Sequence, residues 1–195
     1  MSRVFVITGP SGVGKGTLIR TLLERVPELE LSVSATTRRP RPGETQGVDY
    51  HFIPADEFER RARAGEFVEH ADYSGRRYGT LRSELEQRLE RGAAVVLEIE
   101  VQGARQIKET MPEAVRIFIA PPSDEALRTR LVGRGTDSPE DMEQRLSTAA
   151  EELRAQDEFS HVVVNDRLDD AVEALEEVVR SALASEATNP TEEPS

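Results

Sequence analysis

The sequence predicts an α/β fold, a parallel sheet core flanked by helices. Three observations carry this. Short β-rich runs alternate with helix-periodic segments along the chain. The first run feeds directly into a Gly-rich turn, and the turn into a helix. Two polar stretches, at about 34–91 and 128–156, break the rhythm and read as insertions into one domain.

Val4–Thr8 (VFVIT) is expected to be a buried strand ahead of the glycines. Over residues 15–26, Leu18, Leu22, Leu23 and Val26 recur at helical spacing, and Pro27 ends that helix. The run 94–99 (AVVLEI) reads as a second buried strand, followed by a helix over 102–110. Val115–Ala120 is a third strand; Pro121 and Pro122 break it before a helix signalled by Ser123, with Glu125 in its first turn. His161–Val164 is a fourth, followed by a helix to about Ala184. The first insertion is rich in Pro and Gly with short aromatic runs, the texture of a small, partly β subdomain. The expected organisation is one domain, 1–185, with its core in 1–33, 92–127 and 157–185 and a disordered acidic tail over 186–195.

The 195 residues carry a net charge of −12, which argues against a general nucleic-acid surface. Between Asp166 and Ser195 alone there are 9 acidic and 2 basic residues. The segment 34–45 runs the other way, with Arg38, Arg39 and Arg41 against Glu44, and points to a small anionic ligand. There are no cysteines, hence no disulfide or zinc–thiolate site. No signal peptide and no apolar run of membrane-spanning length is evident, so a cytoplasmic protein with no membrane partner is expected. Of 25 basic residues only two are Lys, and one of them is Lys15.

Lys15 belongs to GPSGVGKGT, residues Gly9, Pro10, Ser11, Gly12, Val13, Gly14, Lys15, Gly16 and Thr17. The spacing is that of a phosphate-binding loop. Gly9 and Gly14 allow tight turns that converge N–H groups on an anion at a helix N-terminus, and Lys15 would reach the β- and γ-phosphates. Gly16 stands where such loops ordinarily carry a hydroxyl for magnesium. Thr17 is one residue late and would turn toward the α-phosphate; it is a secondary metal candidate, and the metal would lean mainly on the nucleotide, on waters and on a carboxylate elsewhere.

Further motifs follow in order: SATTRRPRPGETQGVDYHF, EHADYSGRRYGT, LEIEVQGA, IAPPS, RLVGRGTDS and VVVND. Together with the glycine loop, this ordered set resembles the guanylate kinase family from about Val4 to Ala184. The resemblance implies a P-loop kinase fold, with a GMP-binding subdomain at about 34–91 and a helical, Arg-rich lid at about 128–156. It implies transfer of the γ-phosphate of ATP to GMP, with Mg2+ delivered as Mg-ATP and with ATP and GMP as the partners.

Residue by residue, the resemblance puts Arg38, Arg41, Tyr50 and Tyr78 on the GMP phosphate, and Ser34, Glu69, Gly79 and Thr80 around the base. Arg forks suit a phosphate monoester. A carboxylate at Glu69 can accept guanine N1–H and N2–H together, which adenine cannot offer. Glu98 and Glu100, at i and i+2, would share one face at the carboxyl end of a strand. The family gives one acid to magnesium through water and the other to the guanine amino group; Glu98 is favoured for the metal and Glu100 for the base, both count among the GMP-binding residues, and the split between them stays open. Arg130, Arg134 and Arg145 match the lid arginines, with Arg145 also reaching GMP and Arg134 with Asn165 and Asp166 bordering the adenine. Charge spread over a transferring phosphoryl group needs such cations. The catalytic set is Lys15, Glu98, Arg134 and Arg145.

Two other readings stay open on sequence alone. A small-molecule kinase of the same fold would differ in its acceptor pocket. A catalytically inert interaction module of the family would ordinarily have a damaged phosphate loop. No obligatory protein partner is evident in the residues.

Overall fold

A computed structural model describes residues 3–73, 75–132 and 139–187. It is the expected α/β fold. The core sheet has five parallel strands in the order β2-β7-β1-β8-β9: β1 (Val4–Thr8), β2 (Leu29–Leu31), β7 (Ala94–Glu98), β8 (Val115–Ala120) and β9 (His161–Val164). Alternation along the strands sorts side chains onto two faces. From β1, Phe5 and Ile7 join one apolar cluster with Leu18 and Leu22 of α1 (Lys15–Arg25) and Val172 and Leu175 of α7 (Leu168–Ala187). Val4 and Val6 join the other, with Leu85 of α3 (Arg82–Glu90) and Ile107 of α4 (Val101–Thr110). Helices thus cover both faces, as parallel strands require. Ser123 does start α5 (Asp124–Val132), its Oγ accepting the Ala126 N–H at 3.1 Å.

Strand β2 has no counterpart among the strands expected from the sequence. It is three residues long, of which only Leu29 is buried, and it pairs on one side only. Its Glu30 faces Arg88 and Arg91 at 3.4 and 3.1 Å, so a charged residue interrupts any apolar run.

The first insertion holds a second sheet, ordered β4-β3-β6-β5: β3 (Ala35–Thr36), β4 (His51–Phe52), β5 (Phe67–Tyr73) and β6 (Arg76–Leu81). It also contains α2 (Ala55–Arg63), whose Phe58 stacks on Phe67 at 4.5 Å. The charged ERRAR run hides that helix behind a single buried residue. Helix α6 (Pro139–Arg154) follows α5. Arg134 of the expected lid lies outside the described residues, as does the end of the acidic tail from 188. Among the described residues no helix is long and apolar enough to cross a membrane.

Candidate functional site

One cleft of about 450 Å3 lies at the carboxyl end of the parallel sheet, between the glycine loop, the second sheet and α6. The position follows from topology: strands of a parallel sheet point their carboxyl ends, and the loops after them, to one side.

The glycine loop leaves β1 and enters α1. A Cβ on Gly9 would collide with the Ile119 carbonyl of neighbouring β8, so only glycine lets the loop cross that strand. Gly14 takes φ 98° immediately before α1, a left-handed conformation that turns the chain into the helix. Lys15 Nζ donates to the Gly9 carbonyl and, at 3.4 Å, to that of Pro10. Pro10, Ser11, Gly12, Gly16 and Thr17 also line the cleft. Val13 instead is buried in the core beneath the loop.

Asn165 and Arg130 sit behind the loop. Asn165 Nδ2 donates to the Val13 carbonyl at 2.8 Å, and Arg130 donates to the carbonyls of Asn165 and Val13 at 3.0 and 3.4 Å. Both therefore brace the loop's backbone. Asp166 is exposed beside them.

Gly16, the departure from the usual loop, has nothing within 4 Å of where a Cβ would stand, at the second position of α1. A Ser there meets no steric objection and improves helix propensity by a few tenths of a kcal/mol. Gly16→Ser is therefore expected to keep kcat within about threefold and leave stability unchanged or slightly raised. A tenfold loss of activity in this variant would show that the loop needs glycine at this position.

Opposite the loop stands Glu69, 3 % exposed. Its Oε1 accepts the Thr80 hydroxyl at 2.7 Å. Burial pushes its carboxyl up to about 7, with the Glu100 charge adding to the rise and the Thr80 hydrogen bonds opposing it. The strand is irregular here: Phe67 pairs with Leu81 and Glu69 with Thr80, leaving Val68 as a bulge. Bulges re-aim side chains. Val68 packs into the core cluster with Ala104 and Ile107, while Glu69 meets Gly103 of the same helix, α4.

Ser34, Arg41, Tyr50, Tyr78 and Gly79 line the same side of the cleft. Burial raises the Tyr50 hydroxyl to about 12, helped by the charge of Glu98. Arg38 stands behind, its guanidinium 5.2 Å from the Tyr50 ring centroid. It makes a two-pronged pair with Glu44 at 2.9 and 2.8 Å, and Glu44 also accepts the Arg41 N–H at 2.6 Å. Arg38 holds the Glu44 carboxyl down at about 2.

Glu98 ends β7 and lines the floor. Burial pushes its carboxyl up; the Lys15 charge opposes this and Glu100 adds to it. Glu100 is not on the strand, where the i, i+2 spacing put it. The strand stops at Glu98, and Glu100 occupies the residue before α4. Both acids still face the cleft, because Thr8 Oγ1 donates to the Ile99 carbonyl at 3.0 Å and ties this turn to β1. Among the described residues no three His, Cys, Asp or Glu form a cluster able to hold a metal.

Arg145 of α6 completes the wall. Tyr73 and Glu152 are two neighbours that sequence reasoning missed. Tyr73 is pushed up to about 12 by burial, then by Glu100 and Glu152, with neighbouring Ser11 opposing the rise. Burial, and then the adjoining Glu100 carboxyl, push Glu152 well above the ordinary carboxylate range. Glu152 lies in a helical run of acidic residues with no motif to mark it. Gly103 was within reach of sequence reading: it lies in the quoted VQGA, a glycine inside a helical pattern, which often marks a close approach.

Residues 1–182 match the protein-family model described as guanylate kinase. A guanylate kinase of Rubrobacter xylanophilus is 52% identical over 182 residues, covering 93% of this chain and 95% of the relative. One from Frankia casuarinae is 54% identical over 170 residues, covering 87% and 92%. The crystal structure of guanylate kinase from Anaplasma phagocytophilum superposes with a TM-score of 0.76 at 35% identity, covering 92% of this chain and 85% of that one.

Proposed function

The chain belongs to the guanylate kinase family, and from that premise we propose how its own residues divide the reaction. The enzyme transfers the γ-phosphoryl group of ATP to GMP, giving ADP and GDP. The observation that supports the division best is the facing of the glycine loop and the buried Glu69–Thr80 pair across one cleft.

ATP takes the glycine-loop side. The loop's N–H groups and the N-terminus of α1 hold its phosphates, with Thr17 toward the α-phosphate. Lys15 exchanges its loop carbonyls for phosphate oxygens. Asn165 and Arg130 act through the loop they brace, beside the adenine with Asp166; Arg134 is assigned there by motif alone.

GMP takes the second sheet. Glu69 accepts the two guanine donors, Ser34, Gly79 and Thr80 frame the base, and Glu100 meets the amino group. Arg38, Arg41, Tyr50 and Tyr78 receive the phosphate. Arg38 reaches it once freed from Glu44, or shares it with that carboxylate displaced. A GMP phosphate oxygen attacks the γ-phosphorus in line; a new O–P bond forms as the bond to the ADP oxygen breaks. The attacking phosphate is already anionic near neutral pH, so no side chain need remove a proton. Arg145 and Lys15 balance the charge that spreads over the moving group.

Magnesium arrives with ATP in this reading. The half-buried Glu98 at the cleft floor fits one outer contact to its waters, since magnesium commonly keeps several of them. When bound, the ion neutralises the phosphates. The proposed domain bounds are core 1–33, 92–127 and 157–185, GMP-binding part 34–91 and lid 128–156, with α3 at the end of the GMP-binding part packing on the core sheet through Leu85. With no spanning helix among the described residues, a cytoplasmic location is proposed.

The acceptor assay tests the function. ATP-dependent ADP release should be fast with GMP and slow with AMP, UMP or ribose phosphates. Turnover on AMP equal to that on GMP would overturn the acceptor reading, and no turnover at all would favour the inert module.

Glu69 also predicts a pH dependence. Its folded value is raised from 4.5 to about 7, so its contribution to stability is fully present below 4.5 and lost as pH rises through 7. Guanine's donors need the charged carboxylate. GMP affinity by calorimetry is therefore expected to strengthen from pH 6 to pH 8 by up to about tenfold more than in Glu69→Gln, which shares the titration of the GMP phosphate. Parallel pH profiles in the two proteins would refute it.

A further inference from the structure

We propose that helix α4 sets acceptor specificity from outside the pocket, with Gln106 and Gly103 as positioning residues that aim Glu69. The inference rests on the reading of Glu69 as the guanine acceptor.

Strand β5 is an edge strand among the described residues, paired with β6 at the end of the order β4-β3-β6-β5. An edge leaves backbone N–H and C=O groups free and a strand's register and tilt weakly held. Gln106 occupies that edge at the residue next to Glu69. Its Oε1 accepts the His70 N–H at 3.1 Å, and its Nε2 donates to the His70 carbonyl at 2.7 Å. A primary amide carries one acceptor and two donors, so it can match the N–H and C=O of one strand residue as a neighbouring strand would. The contact ties the core helix to the inserted sheet through the N–H and C=O of one residue, His70.

Gly103 stands one helical turn before Gln106 on α4. A Cβ there would collide with Glu69 Oε2, and would also meet Ile99 Cδ1 at 3.4 Å. The glycine therefore makes the recess that receives the carboxyl. Its φ is not of the left-handed kind, so room and not backbone conformation is what the glycine supplies. The Val68 bulge fits the same design. It lets Val68 anchor among Ala104 and Ile107 while Glu69 lies against Gly103. Three consecutive residues of β5 thus meet one face of α4, and the carboxylate position is over-determined. Small displacements of such a group carry large costs in recognition.

Neither residue touches the expected place of the ATP phosphates, which separates this role from general scaffolding. Gln106→Met keeps the side-chain length and removes both hydrogen bonds. It is expected to raise KM for GMP on the order of tenfold and leave KM for ATP within about twofold. It should also lower the GMP:AMP ratio of kcat/KM. Gly103→Ala should lower that ratio further; if this variant does not fold, Gln106→Met decides alone. Melting temperatures and the KM for ATP separate aim from stability: GMP and ATP constants that rise together in a folded Gln106→Met would overturn the proposal, as would an unchanged KM for GMP. Glu69→Gln, assayed in parallel, distinguishes the two layers. If it loses the GMP:AMP ratio while Gln106→Met keeps it, the positioning role alone falls. If Glu69→Gln itself keeps the ratio, both fall.

Discussion

Lys15→Ala is expected to lower kcat by about 10²–10³-fold, the size of effect seen when one preorganised donor to a developing charge is removed. Among the described residues the side chain's hydrogen bonds go to the Gly9 and Pro10 carbonyls. Losing it leaves the core strands and α1 untouched, so the melting temperature should hold within a few degrees. The remaining cost falls on Glu98, whose carboxyl is raised by burial and lowered by the Lys15 charge. Without that charge Glu98 shifts further up, which weakens its outer contact to magnesium as well. Raising magnesium should therefore recover only part of the lost rate. A variant retaining kcat within about threefold at saturating ATP and GMP would mean that Lys15 does not act on the transferring phosphoryl group.

Glu69→Gln is expected to reduce the GMP:AMP preference by about 10²-fold or more, because a site built to hydrogen-bond particular donors discriminates through those bonds. The substituted amide presents an NH2 where guanine presents N–H, and the Thr80 hydroxyl, now donating to Glu69 Oε1, can satisfy only one amide atom. Stability should move the opposite way. A buried carboxyl whose value sits at about 7 disfavours folding at pH 8, so its neutral isostere should melt at the same temperature or higher there. Activity lost with stability kept or gained is the signature. An unchanged acceptor preference would remove Glu69 from base recognition.

Legibility differed sharply across this chain. The glycine loop could be read directly, since the turn glycines, Lys15, the strand before and the helix after are all contiguous. Strands β1, β8 and β9 fall on the runs expected, because dense apolar segments have few other fates. Strand β2 escaped, being short, charged at its centre and paired on one side. Helix α2 escaped behind one buried phenylalanine. Around the cleft, Glu44 could be seen as a lone acid among arginines but not as the partner of Arg38. Glu152 carried no pattern at all, and Tyr73, although it lies within the quoted EHADYSGRRYGT, had nothing to mark it as a cleft residue.

By itself the sequence determined the parallel α/β core, the phosphate loop and the family, because each rests on local spacing or on the order of motifs. Only the tertiary structure decided how the two sides of the cleft are built: Asn165 and Arg130 behind the glycine loop on one side, and on the other Glu44 against Arg38 and Glu69 seated in the recess at Gly103 with Gln106 on the neighbouring residue. These depend on which edge of β5 meets α4 and on a one-residue bulge at Val68. A bulge reverses which residues face the helix, and edge docking is set by packing between segments remote along the chain, so neither leaves a periodic trace in the residues themselves.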